Sequence, residues 1–198
     1  MGLALLISLG SVLVLFPAWL PRGPSSLTVE DGAVELLQVV LLSASAAFLL
    51  AGAAHAGRFR PIYQGLSFAV IAAAVAELEN GLAVILPGKT SGWVFLPFVL
   101  VAAWKFARHR RETLRFIGFA ARHPSSGFIA AALIIIYVFG HFFGSRAFWQ
   151  ATLESDFPPD LPRICRGYLE LLSCYFIFVG VIGFCIPVTR RPGSIPTG

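Results

Sequence analysis

The chain has 198 residues, of which 57% are hydrophobic and 13% are charged, and its mean hydropathy is +0.80. Soluble domains carry about 25% charged residues, so this composition excludes an ordinary soluble fold. A bilayer core about 30 Å thick is crossed by roughly 20 apolar residues in a helix, and several runs of that kind follow one another. A single transmembrane helical domain over residues 1–198 is predicted, with no separate soluble domain.

Six apolar runs are predicted to form an all-α, integral membrane bundle with both termini in the cytoplasm. They cover about residues 3–20, 33–54, 62–86, 91–107, 128–144 and 164–188. The first run has no Lys or Arg before it and no clear small-residue cleavage site, which favours a retained span over a cleaved signal peptide. The fourth run is the weakest. It contains Pro97 and must extend through Lys105 to reach across, so a tilted, kinked or partly interfacial helix is expected.

The net charge of +5 comes from basic residues that gather in the connections between apolar runs. This distribution follows the positive-inside rule and requires no nucleic-acid partner. With the connections at 55–61 and 105–126 and the C-terminal tail in the cytoplasm, ten of the 15 Lys and Arg residues lie on that side. The predicted location is a bacterial cytoplasmic (inner) membrane, crossed several times.

A basic amphipathic stretch lies between the fourth and fifth runs, at residues 105–123. Its cationic side chains alternate with apolar ones, which is typical of a helix lying on an anionic leaflet, where each Lys or Arg contributes about 1 kcal/mol. Binding of a partner protein is the alternative. The predicted contacts to anionic lipids are Lys105, Arg108, Arg110, Arg111, Arg115 and Arg122.

Acidic residues show the opposite distribution, since nine of the ten carboxylates fall in the outer half of the predicted bundle or outside it. Charges within membrane spans are expensive and usually face protein or water. The acids of the run at 72–86 therefore indicate a functional site. The predicted polar pocket comprises Glu35, Gln38, Glu77, Glu79, Asn80, His141 and Glu170.

Two of these residues cannot share one face of a regular helix. Glu77 and Asn80 stand three positions apart and lie on the same face, whereas Glu79 points about 200° away from Glu77. Either Glu79 meets a second polar neighbour, or Asn80-Gly81 marks a local break where the backbone lines a cavity.

Three functions of this pocket remain open at the level of sequence. The acids could be hydrogen-bonded or protonated contacts between helices. They could line an outward-facing pocket. The protein would then act in small-solute or cation transport, or as a subunit of a larger membrane complex. They could also bind a divalent metal together with His141, in an enzyme acting on a lipid or lipid-linked substrate at the outer leaflet.

Sequence signals for chemistry are weak. No HExxH or CxxC spacing, GxSxG element or glycine-rich phosphate loop occurs, so no catalytic residue, cofactor or metal is assigned. Cys165, Cys174 and Cys185 stand on one predicted helix, where the helical rise places Cys165 and Cys185 about 30 Å apart. They are expected to be free.

Three short motifs look like those of uncharacterised, small, polytopic bacterial inner-membrane proteins. They are Glu30-Asp31-Gly32-Ala33-Val34-Glu35-Leu36-Leu37-Gln38, Glu77-Leu78-Glu79-Asn80-Gly81 and Gly167-Tyr168-Leu169-Glu170-Leu171-Leu172. Such proteins have an EDGxxEWL-like opening and an EExSWGQ-like motif in the third span. The present third-span motif lacks the paired acids and the Trp. The resemblance implies a multi-pass membrane fold and no particular activity.

Overall fold

The computed structural model describes residues 33–78, 93–153 and 158–190. These residues are helical almost throughout, and they contain no strand. The helices are α1 (Ala33–His55), α2 (Arg60–Glu77), α3 (Leu96–Arg108), α4 (Arg110–Ala120), α5 (Ser126–Ile134), α6 (Arg146–Leu153) and α7 (Leu161–Arg190). A 3₁₀ turn (Gly57–Phe59) joins α1 to α2. A π-helical segment (Ile135–Gly140) and a final turn (His141–Phe143) follow α5 directly, and we call the whole stretch Ser126–Phe143 extended α5.

Four of these helical stretches are long and apolar enough to cross a membrane: Val34–His55, Gly57–Glu77, Ser126–Phe143 and Leu161–Ile186. The prediction of an all-helical membrane protein is confirmed at this level. The predicted runs 33–54, 128–144 and 164–188 correspond to α1, extended α5 and α7. The run at 3–20 lies outside the described residues, and six spans with two cytoplasmic termini stay a prediction.

The predicted third run, 62–86, differs from the structure at its C-terminal end. The helix α2 ends at Glu77, and Leu78 caps it by donating its backbone N–H to the carbonyl oxygens of Ala74 and Val75 at 3.3 and 3.1 Å. Glu77 is therefore the last residue of a helix rather than a residue inside a longer one. Glu79 and Asn80 lie outside the described residues, as does the rest of this run.

The weak fourth run, 91–107, corresponds to α3, whose 13 residues cover about 20 Å. Pro97 lies in the first turn of α3, where its missing N–H breaks no helical hydrogen bond, so the expected kink at Pro97 does not occur. The Lys105 ammonium donates a hydrogen bond to Gln64 Oε1 at 2.8 Å. Gln64 is 13 residues, or about 20 Å, before the end of α2, so the end of α3 lies beside the first turns of α2.

The basic stretch at 105–123 forms two helices rather than one. His109, with φ of −109° and ψ of 40°, separates α3 from α4. Lys105 and Arg108 consequently belong to the last turn of α3, whereas Arg110, Arg111 and Arg115 belong to α4.

The bundle core is formed mainly by α1, α2 and α7. At the turn between α1 and α2, Gly57 has a φ of 51°, in the left-handed region that favours glycine, and the chain reverses there. Ser67 of α2 donates a hydrogen bond to the carbonyl oxygen of Ala46 in α1 at 3.0 Å. α3 packs on α2, and α5 packs on α7. One buried cluster joins the three core helices through Leu42, Ala74 and Phe178.

The two ends of the bundle carry different charges. The acidic end, defined by Glu35, Glu77 and Glu170, is formed by the start of α1, the end of α2 and the start of α7. The basic end, defined by Lys105, Arg108, Arg110, Arg111, Arg115 and Arg122, is formed by the end of α3, by α4 and by the residues after it. Carboxyl groups therefore outnumber bases at the acidic end, where Arg163 and Arg166 also lie, and arginines dominate the basic end.

Candidate functional site

A cavity of about 300 Å³ lies at the acidic end, and we call it the polar cavity. Three sequence-distant helices meet there. Its lining residues are Val34, Glu35, Gln38, Glu77, Arg163, Arg166, Gly167 and Glu170. The structure thus places four of the seven predicted pocket residues around one space: Glu35, Gln38, Glu77 and Glu170.

Helical periodicity explains how these side chains reach the same cavity. Glu35 and Gln38 stand three positions apart on α1, and therefore on one face. On α7, Arg163, Arg166 and Glu170 follow a spacing of three and then four, which is also one face. Because α2 ends at Glu77, its last side chain completes the wall.

Gln38 is the most unusual residue of the polar cavity, because its side chain is only 1% exposed. Its Nε2 donates a hydrogen bond to the backbone carbonyl oxygen of Gly167 at 3.1 Å. This bond fixes the orientation of the amide, because the flipped rotamer would set two acceptors against each other. Among the described residues, nothing donates a hydrogen bond to Gln38 Oε1. A buried acceptor without a hydrogen bond lowers the stability of the fold by about 1–3 kcal/mol.

The charges of the polar cavity do not cancel. Three carboxylates face two guanidinium groups, those of Arg163 and Arg166, so one formal negative charge remains. Arg166 Nε lies 2.7 Å from Glu170 Oε1, in an ion pair between residues four apart on α7. The Arg166 side chain is 64% exposed, and exposed pairs at this spacing contribute only about 0.3–0.5 kcal/mol. This ion pair therefore orients the two side chains more than it stabilises the fold.

His141 does not join the acids of α1 and α2. It lines a neighbouring cavity of about 470 Å³, together with Tyr137, Gly144 and residues of α7. Arg166 and Glu170 line both cavities, so their ion pair stands between His141 and Glu77. The single pocket predicted from sequence is in the structure two adjoining cavities.

The second cavity depends on features of the backbone that the sequence did not predict. The π-helical segment Ile135–Gly140 precedes His141; such segments are rare and frequent at functional sites. Gly144 allows a close approach to α7, since a Cβ there would lie 3.2 Å from Arg166 Cδ. The atoms nearest to such a Cβ are the Gly140 carbonyl oxygen, at 2.7 Å, and this arginine side chain.

A metal site receives no support from the described residues. Within 33–78, 93–153 and 158–190, no group of three or more His, Cys, Asp or Glu side chains is placed to hold an ion. None of the three cysteines, which all lie within the described residues, forms a disulfide, and Cys174 and Cys185 are buried.

The predicted lipid-contacting residues divide into two groups. Lys105 is half-buried and bonded to Gln64, and both Lys105 and Arg108 lie near the Trp104 ring, at 6.0 and 5.8 Å from its centroid. The other four are exposed: Arg110, Arg111, Arg115 and Arg122. Contact with anionic lipid stays a prediction for all six.

Sequence reasoning missed two parts of the polar cavity. Arg163 was not among the residues predicted for the pocket, although it lines the polar cavity, and its spacing from Glu170 is the signal that could have placed it. The backbone carbonyl of Gly167 has no sequence signal, because its contact with Gln38 joins residues 129 positions apart. No protein-family model, curated protein or solved structure matches this chain.

Proposed function

We propose that this protein binds a small organic cation carrying N–H groups in the polar cavity and transports it across a bacterial inner membrane. The observation that supports this proposal is the buried Gln38 Oε1, an acceptor without a donor among the described residues. A ligand with an N–H group supplies the missing donor. A cationic ligand also neutralises the excess negative charge of the lining residues.

The N–H group distinguishes this ligand from an inorganic ion. A divalent metal prefers several oxygen or imidazole ligands that converge on one point, and the described residues offer no such group. An ammonium or guanidinium group needs only acceptors around it, because all of its hydrogen-bonding groups are donors. The Gln38 amide oxygen and the carboxylates of Glu35 and Glu77 are acceptors of this kind.

Transport requires that the site open to one side of the membrane and then to the other. The cavity lies where three candidate spans meet, so a small displacement of α2 against α1 and α7 alters its walls. The positive-inside rule assigns the basic end to the cytoplasm. In this proposal the polar cavity therefore faces the outside.

Guanidinium is a suitable probe, because it stays charged and does not cross bilayers as a neutral amine. We expect the purified protein to bind guanidinium, and to bind tetramethylammonium, a cation without N–H groups, at least tenfold more weakly. Proteoliposomes should accumulate labelled guanidinium. Right-side-out membrane vesicles should bind external guanidinium more tightly than inside-out vesicles from the same cells.

The Gln38→Met variant tests the amide oxygen, because methionine nearly keeps the volume and removes the acceptor. A hydrogen bond to a charged group contributes about 1.5–3 kcal/mol, so guanidinium affinity should fall about ten- to a hundredfold. The matched control is Gln64→Met at the basic end, which should leave affinity within twofold. Equal affinities of the two variants, or wild-type protein that prefers tetramethylammonium, would refute the proposal.

A further inference from the structure

A third cavity lies at the basic end, and its chemistry is the opposite of that of the polar cavity. It has a volume of about 410 Å³ and is almost entirely apolar; we call it the apolar cavity. Leu66 and Val70 of α2 form one wall, and Ile129 and Leu133 of α5 form the facing wall. Helix α4 closes the cavity at the basic end.

The apolar cavity offers no site for water. Its lining contains two hydroxyl groups, on Tyr63 and Ser126. The Tyr63 hydroxyl donates to the carbonyl oxygen of Phe184 at 3.5 Å, and Ser126 Oγ donates to that of His123. A buried water needs two to four polar partners, and these hydroxyls are already engaged. The expected occupant is a hydrocarbon.

The walls of the apolar cavity continue into the surface that a bilayer would cover. Leu133 lines the cavity and is nevertheless 49% exposed, and its neighbour Ile134 is 52% exposed. Both belong to extended α5, whose apolar stretch is only 11% buried within the protein. An acyl chain can therefore reach the cavity from the bilayer.

Helix α4 indicates where the hydrocarbon ends and the head groups begin. Phe116 and Ala120 stand four positions apart on one face of α4, and that face lines the apolar cavity. Arg111 and Arg115, also four apart, lie on the opposite face and are exposed. An amphipathic helix of this kind lies at the level of the lipid phosphates, with its apolar face toward the acyl chains.

We infer that the apolar cavity binds one acyl chain of an anionic phospholipid, whose phosphate is held by the exposed arginines of α4 and of the turn that follows it. Charge complementarity favours an anionic lipid over a zwitterionic one, because the end of the cavity is formed by a helix with several exposed arginines. This inference does not depend on the proposed function, since it concerns the other end of the bundle.

Native mass spectrometry of the detergent-purified chain tests this inference, with phosphatidylglycerol and phosphatidylcholine of identical acyl chains added in separate titrations. We expect one phosphatidylglycerol to remain bound per chain, at least fivefold more tightly than phosphatidylcholine. Ala120→Phe fills the cavity and should abolish retention. The control Ala121→Phe changes the adjacent, exposed residue, which does not line the cavity, and should retain the lipid.

A second pair of variants tests the cavity without changing α4, so that misfolding of α4 cannot explain a loss of lipid. Leu133→Trp narrows the cavity from α5, whereas Ile134→Trp places the same ring on the exposed side. Only Leu133→Trp should lose the lipid. The double variant Arg115→Gln and Arg122→Gln should weaken phosphatidylglycerol binding to the level of phosphatidylcholine, a loss of at least fivefold.

Three outcomes overturn the inference. The first is wild-type protein that retains no lipid, as expected if the apolar run at 3–20 or a second copy of the chain fills the cavity. The second is equal retention by Ala120→Phe and Ala121→Phe together with equal retention by the two tryptophan variants. The third is equal affinity of the wild-type protein for the two lipids.

Discussion

The two ends of the bundle are built on different principles. At the basic end, aromatic rings contact one another between the helices and line the apolar cavity. His123 stacks on Phe184 with centroids 4.6 Å apart, and Phe116 contacts Phe59 at 5.6 Å and Tyr63 at 5.8 Å. At the acidic end, the helices enclose a cavity with charged walls and a buried amide oxygen that lacks a donor. Aromatic contacts around an apolar cavity join the helices at the basic end, while the acidic end encloses a buried acceptor without a hydrogen bond.

Charged residues also occupy different positions at the two ends. The arginines of α4 are exposed, on the opposite side of that helix from its buried Phe116. Glu77 and Glu170, in contrast, line the cavity itself. Proteins commonly violate their packing rules at functional sites and compensate for the cost elsewhere. Stability should therefore depend on the basic end, and ligand binding on the acidic end.

The largest loss of stability is expected from Phe116→Ala. Phe116 is 9% exposed and contacts the rings of Phe59, Tyr63, Phe119 and Phe184. Removal of a buried phenyl group from a core costs about 3–5 kcal/mol. Reversible unfolding in mixed micelles measures the free energy of unfolding.

The matched control for Phe116→Ala is Phe128→Ala on α5. Phe128 is 44% exposed and makes a ring contact with Phe176 at 6.0 Å, so its loss should cost less than half as much. Guanidinium binding should be unchanged in both variants, because neither residue lines the polar cavity. If the two substitutions destabilise the protein equally, the packed basic end does not determine stability.

The sequence predicted those parts of the fold that depend on length and hydropathy. Extended α5 and the helices α1 and α7 begin and end within a few residues of the predicted runs. These helices consist of apolar residues whose number matches the bilayer thickness, and that property can be counted along a chain. Helical rise also predicted that Cys165 and Cys185 do not pair with each other, and no disulfide joins them.

Features that depend on individual hydrogen bonds or on distant contacts were not predicted. The apolar run continues past Glu77, so hydropathy gave no sign that α2 ends there. The backbone angles of His109 separate α3 from α4. No Gly or Pro lies at this position, so the sequence contains no signal for a helix end there. Likewise, periodicity places Gln38 on a buried face but cannot show that its amide meets Gly167 of α7.

An intermediate effect is expected from Gly180→Ala, at the contact of α7 with α5. A Cβ at position 180 would lie 2.7 Å from Ile129 Cγ1 and 3.2 Å from the carbonyl oxygen of Ser125. Crowding of this kind costs about 1–3 kcal/mol. The control is Gly118→Ala on α4, where a Cβ meets nothing within 4 Å. Alanine there should stabilise the helix by about 1 kcal/mol. Effects of the same sign at the two positions would contradict close packing between α5 and α7.

The smallest effect on stability is expected from Arg166→Gln at the acidic end. The ion pair with Glu170 is largely exposed on the arginine side, so its loss should cost about 0.3–0.5 kcal/mol. The same substitution leaves three carboxylates facing one guanidinium group in the polar cavity. Guanidinium affinity should therefore rise several-fold while the free energy of unfolding hardly changes. A loss of stability comparable to that of Phe116→Ala, without a gain in affinity, would show that the charges at the acidic end support the fold, and the contrast between the two ends would then fail.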